Sequence, residues 1–220
     1  MRIAALEGPS FAGKTSTLAA LGPLLHPLRV ISYACYVDEI ASNDVPPARA
    51  RGAAEQLAAF ELFMEIEADR VADLRCRGDG ADLLLLDRSV DTLLAHAYAL
   101  DRLYAYGVHD AARSLLPQRE HLCPDRTFYL DAGPEVLQRR RRRSGGPFDD
   151  FLLDPVFVGH FRDYFTLKGS PISAWVSIVH AEQEQSIVAD RIVRMLAQEG
   201  EEVAWGSESS DRREPGPAIS

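Results

Sequence analysis

The chain has 220 residues, 46% of them hydrophobic and 26% charged, with a formal net charge of -9. That is one domain's worth of chain with a real core, and the acidic balance excludes general binding to nucleic acid. No apolar run approaches the roughly 20 residues of a membrane span, the opening MRIAALEG has no long apolar signal region, and three scattered cysteines (Cys35, Cys76, Cys123) fit reduced thiols, so a cytoplasmic protein is expected.

In chain order, Ile3–Leu6 is a short apolar run stopped by Gly8, and a helix follows over Thr15–Leu21. Leu28–Tyr33 reads as a second strand. Residues 53–75 carry Leu57, Phe60, Phe63, Met64, Ala68, Val71 and Leu74 at helical spacing. Leu83–Leu86 is apolar at four consecutive positions, the pattern of a central parallel strand covered on both faces. Residues 90–105 and 109–117 read as helices, Thr127–Leu130 as a strand, and Pro134 opens a helix at a favoured first position. Residues 155–167 read as a helix, Trp175–Val179 as a fifth strand, and Gln185–Leu196 as a last helix. Strands alternating with helices predict an α/β fold: a five-stranded parallel sheet with helices on both faces. The expected domain spans 1–199, and 200–220, rich in Gly, Ser, Pro and charge, reads as a disordered tail.

Gly8-Pro9-Ser10-Phe11-Ala12-Gly13-Lys14-Thr15 fits G-x-x-x-x-G-K-[ST] between a predicted strand and a predicted helix. Such a loop wraps phosphate with backbone N–H groups, and the helix start adds a positive field. Residues 8–16, ending in Ser16, are therefore the expected nucleotide-phosphate site. Lys14 is placed to reach the outer phosphates, and Thr15 to ligate Mg²⁺. The motif by itself does not separate kinases from GTPases or motor ATPases.

Asp87-Arg88-Ser89 follows the Leu83–Leu86 strand, and parallel sheets bind ligands beyond the carboxyl ends of their strands. Asp87 is a metal candidate, and Arg88 is a phosphate clamp of the bidentate kind lysine cannot form. The structural alternative is a helix N-cap by Asp87 or Ser89. Arg139–Arg143 is a run of five arginines ahead of Ser144-Gly145-Gly146-Pro147. It suits a helix C-terminus, and it also suits a lid, about 139–150, that stabilises charge on a phosphoryl group in transfer. Arg139 and Arg143 share a face at i,i+4.

These segments, with Ala68-Asp69-Arg70 and Pro124–Asp131, resemble the thymidylate kinase and deoxynucleoside kinase superfamily over about residues 1–198. The resemblance implies the P-loop NTPase fold, ATP with Mg²⁺ as donor, and a small nucleoside or nucleotide as acceptor. It implies catalytic roles for Lys14, Asp87, Arg88, Arg139 and Arg143, Mg²⁺ ligation by Thr15 and Asp87, and acceptor contacts for Arg70 and Arg88. It also places the adenine near His180–Gln183, and it suggests a homodimer through 53–75 and 90–105. Two features depart from thymidylate kinases: Ser10 stands at a loop position where an acidic residue is usual, and Ser32–Glu39 lacks their Arg-Glu-Pro-Gly. Asp38 or Glu39 is the candidate carboxylate base for a nucleoside acceptor. Phe63 is a core residue or a base-stacking one. The leading expectation is γ-phosphoryl transfer to a nucleoside monophosphate. The alternatives are transfer to a sugar hydroxyl of a nucleoside, or a nucleotide-binding regulatory module without catalysis.

Overall fold

The computed structural model describes residues 1–41, 44–145 and 148–208. Five strands form one sheet: β1 (Arg2–Glu7), β2 (Val30–Tyr33), β3 (Leu83–Asp87), β4 (Arg126–Asp131) and β5 (Trp175–His180). The order is β2-β3-β1-β4-β5, and every neighbouring pair is parallel. β3 is buried at all five positions, which is why its sequence is apolar without alternation. The register sets Leu6 beside Asp87 and Glu7 beside Tyr129, so both acidic residues reach the carboxyl edge of the sheet.

Among the described residues seven α-helices connect and cover the strands: α1 (Lys14–Leu24), α2 (Ala53–Arg77), α3 (Val90–Tyr104), α4 (Val108–Leu115), α5 (Pro134–Ser144), α6 (Pro155–Asp163) and α7 (Gln185–Glu208). Residues from α1, α5 and α7, among them Leu21, Leu137 and Ile192, pack on one face of the sheet. Residues from α2, α3 and α6, among them Phe60, Leu94 and Phe161, form the core on the other. The helix starts are locally encoded. Ser89 caps α3 by accepting from Asp91 N, and Asp154 caps α6 ahead of Pro155.

Two expectations about extent change. The helix expected over 155–167 is α-helical to Asp163 and then widens into a π turn over Tyr164–Lys168. There Tyr164 OH donates to the buried Asp91 at 2.6 Å, and a Cβ at Gly169 would overlap the Tyr164 ring. The last helix, expected over Gln185–Leu196, runs to Glu208, since a nucleated helix extends at one bond per residue. Residues 209–220 of the expected tail, and 146–147 of the lid, lie outside the described residues. Among the described residues no helix is long and apolar enough to cross a membrane.

Candidate active site

The chain between β1 and α1 forms a loop whose backbone geometry restricts its sequence. Gly8 has φ +136, and a Cβ there would sit 2.6 Å from Leu130 O. Gly13 has φ +101, and Phe11 takes the left-handed region at φ 65. Side chains rarely adopt these values, so the two glycines are requirements of the turn. Lys14 lies against the loop it serves, and Nζ donates to Gly8 O at 3.0 Å and Pro9 O at 2.9 Å. Burial, then the nearby Arg88, lowers its pKa to about 8.

Asp87 is 1% exposed at the end of β3. Thr15 Oγ1 donates to its Oδ2 at 2.5 Å, and its Oδ1 is buried with no hydrogen-bond partner among the described residues. A hydroxyl beside a carboxylate with an unused buried oxygen is a hard-oxygen donor set, and it fits Mg²⁺.

Arg88 has φ 75, an uncommon value for arginine and one concentrated at functional sites. Its N–H is held by Leu6 O at 3.1 Å, and its guanidinium is 3.5 Å from Thr92 Oγ1. Behind it lies Glu7, which is fully buried. Glu7 accepts from Ser89 N at 2.7 Å, from Ser89 Oγ at 2.9 Å and from Thr92 Oγ1. Burial raises the Glu7 pKa to about 7, against the opposing pull of Thr92, Arg88 and Ser89. Glu7 thus ties the end of β1 to the start of α3 and fixes where Arg88 can point.

Two cavities flank the loop. One, of about 580 Å³, is lined by Lys14, Thr15, Ser16, Arg139, Arg143 and the 182–185 turn. The other, of about 490 Å³, lies over Pro9 and Ser10 and is bounded by Arg88, Cys35, Gln56 and His96, with Phe63, Phe157 and Phe161 in its walls. The first has the charge for a triphosphate. The second has the flat apolar walls for a ring.

This fold recurs in solved structures. Three structures of deoxyadenosine kinase from M. mycoides match. The one with bound dATP has 12% identity, a TM-score of 0.66, and coverage of 89% of this chain and 99% of that chain. The fold is that of deoxyadenosine kinase. The structure with the products dCMP and a flexible dCDP matches with TM-score 0.63 and 11% identity, and the one with bound dCTP with 0.61 and 13%, at the same coverages. No family model and no curated protein matches the sequence.

Within the deoxyadenosine kinase fold, Gly8–Ser16, Asp87 and Arg88 meet at the carboxyl edge of the sheet, and Arg139 and Arg143 reach the triphosphate-sized cavity from α5. Of the residues expected to contact the acceptor, Phe63 and Arg88 line the aromatic cavity, and Arg70, Asp38 and Glu39 are not among its lining residues. Arg70 is 2% exposed and held from inside. It pairs with Glu39 at 3.2 Å and Glu67 at 3.4 Å, donates to Ala34 O and to Arg88 O, and lies 3.9 Å over the Tyr36 ring. It does not line the aromatic cavity. Without Arg70 its buried partner Glu67 would be an uncompensated charge. Asp38 and Glu39 are exposed, neither lines the cavity, and Glu39 points to Arg70. The residues just after β2 that do line it are Cys35, Tyr36 and Val37. Phe63 lines the cavity and leans on Tyr36 with ring centroids 5.8 Å apart.

Sequence reasoning missed several residues. Gln56 and His96 sit 40 residues apart and meet in the aromatic cavity. Gln56, Phe60 and Phe63 share one face of α2 at i, i+4, i+7, and a polar residue in an apolar stripe was the available signal. Arg140, between the two arginines singled out, donates to Ala12 O at 2.7 Å, Phe11 O at 3.4 Å, Ala181 O at 2.7 Å and Gln183 O at 3.2 Å. It fastens the phosphate loop to the turn before α7. Arg141 lies over Phe148 and Phe11, whose rings meet edge to face at 4.7 Å. No local pattern separates these neighbouring arginines.

Proposed function

We propose that the chain is an ATP- and Mg²⁺-dependent kinase that transfers the γ-phosphoryl group to a hydroxyl of an uncharged, base-bearing acceptor, a nucleoside or a close relative. The carrying observation is the charge of the aromatic cavity. Arg88 is the one arginine or lysine among its described lining residues, and Arg70 is committed to Glu67 and Glu39. A monophosphate brings about two negative charges and needs several donors, whereas a neutral nucleoside needs stacking walls and few polar anchors.

Each residue's part follows from its place. The 8–16 loop holds the donor's phosphates, with Lys14 against the outer ones. Thr15 and Asp87 would hold Mg²⁺, which supplies charge neutralisation on the phosphate oxygens. Arg88, aimed by its backbone and by the Glu7–Thr92 contacts, lines the aromatic cavity and stabilises charge on the group in transfer. Arg139 and Arg143 do the same from the lid side. Phosphoryl transfer through a loose transition state depends mainly on positioning and charge, so a strong base is a small part of the requirement.

A monophosphate acceptor is the second reading, favoured by the exclusion of Asp38 and Glu39 from the cavity, because an anionic acceptor needs no base. ADP release with Mg-ATP, measured on matched nucleosides and their monophosphates, decides between them. Turnover with nucleosides, abolished by Lys14→Ala, is expected. Turnover with monophosphates alone overturns the reading, and ATP binding without any turnover points to a regulatory module.

A further inference from the structure

The phosphate loop carries an aromatic side chain at a position the motif leaves free. Phe11 takes the left-handed region at φ 65, and its ring meets that of Phe148 edge to face, with centroids 4.7 Å apart and planes at 67°. The two rings belong to different sites. Phe11 lines the cavity of about 580 Å³ together with Lys14 and Thr15, whereas Phe148 lines the aromatic cavity of about 490 Å³. Phe148 is part of a continuous wall there. Asp149 accepts from Phe151 N at 3.0 Å and starts a 3₁₀ turn, Asp150–Leu153, and both Asp149 and Leu152 line the same cavity. Leu153 anchors the turn in the core that Leu137 of α5 shares. The Arg141 guanidinium, also from α5, lies 5.3 Å from the Phe148 centroid and 6.0 Å from that of Phe11. Its Nε is buried with no hydrogen-bond partner among the described residues and is 4.0 Å from Asp150 Oδ1. Ring faces, more than hydrogen bonds, seat this arginine.

From this continuity we infer that Phe148 is a positioning residue that couples the two sites: a donor held by the phosphate loop fixes Phe11, the Phe11–Phe148 contact holds the acceptor cavity's wall in place, and each ligand tightens the other's binding. The inference rests on the reading of the two cavities as donor and acceptor sites. Its physical basis is the cost of ordering. Backbone N–H groups that bind the donor's phosphates immobilise the loop, and Phe11 with it. A wall already held costs the acceptor less than a wall it must order itself. The size of the effect is set by the contact that carries it. An edge-to-face pair changes an equilibrium by about two- to tenfold, and Arg141 across both rings adds to that.

The test is calorimetry on the full chain, with deoxyadenosine, deoxycytidine and their monophosphates as acceptor probes and a non-hydrolysable ATP analogue with Mg²⁺ as donor probe. The parent is expected to bind an acceptor about fivefold or more tighter when donor-loaded, with the same factor in the reverse direction. Phe148→Ala and Phe11→Ala should each bring the factor to within about twofold of unity, and the double variant should lose no more than either single one. The factor is a ratio, so a general weakening of either site cancels from it. No coupling in the parent, an undiminished factor in Phe148→Ala, or additive losses overturn the inference. If either alanine variant does not fold, Phe148→Leu replaces it, with the same loss expected and an undiminished factor overturning. Coupling seen with monophosphates alone keeps this inference while the nucleoside reading falls. Hydrogen exchange needs no acceptor. The donor analogue by itself should slow exchange of the Phe151, Leu152 and Asp154 amides, which are hydrogen-bonded within the turn, by about threefold or more in the parent and not in Phe11→Ala. Slowed exchange with no acceptor bound keeps the contact's role while the acceptor reading falls, and unchanged exchange in the parent overturns the inference whatever the acceptor proves to be.

Discussion

Glu7→Gln is the perturbation whose size follows most directly from the structure. The Glu7 carboxyl is fully buried, accepts from Ser89 N, Ser89 Oγ and Thr92 Oγ1, and has its pKa raised by burial from 4.5 to about 7. Between those values the folded chain holds a proton that the unfolded chain has lost. Stability from this group is therefore complete below about pH 4.5 and declines as pH rises through about 7. The interval corresponds to about 3 kcal/mol, most of it lost between about pH 5 and about pH 7. Glutamine keeps the shape and an oxygen for Ser89, offers an amide N–H to the Thr92 hydroxyl, and does not titrate. Urea unfolding of both proteins without nucleotide, at about pH 5 and about pH 8, reads the difference. The parent should lose about 3 kcal/mol more than the variant across that range. Equal losses would refute the reasoning, because they would mean that Glu7 titrates alike in both states.

Other substitutions test the remaining assignments. Arg70→Met should lower stability by about 3–5 kcal/mol, read as a shifted urea midpoint, because Glu67 is left buried without its cation; unchanged stability with a raised acceptor KM would return Arg70 to the acceptor site. Gly8→Ala should destabilise the fold and weaken ATP binding by more than tenfold, since its Cβ meets Leu130 O at φ +136, and a variant with native ATP affinity would contradict the loop geometry. Arg140→Ala should weaken ATP binding by about tenfold, since it unfastens Ala12 and Ala181, while Arg143→Ala should lower kcat more than ATP affinity. The reverse pattern, read from ATP titrations and saturated rates, would exchange their roles.

What the sequence determined is what short stretches encode. The β1–loop–α1 motif needs glycine at positions 8 and 13, with Lys14 and Thr15 after them, and all four fall within one short stretch of chain, Gly8 to Thr15. The apolar run of β3 declares a strand covered on both faces, and Asp87 follows it at the sheet's carboxyl edge. The alternation of strands and helices then leaves few topologies for a parallel sheet. Tertiary structure decided which charges are free. Arg70 and Arg88 read alike in a sequence, but Arg70 meets Glu67 on its own helix, Glu39 and the Tyr36 ring, while Arg88 is turned toward the cavity by its backbone. Arg139 through Arg143 are identical in the sequence, and the helix turn alone assigns Arg140 to backbone carbonyls and its neighbours to a cavity wall or a pair of rings. The Gln56–His96 contact joins two helices through packing on one face of the sheet. No local propensity carries such a pairing, because its energy exists only once both helices are buried together.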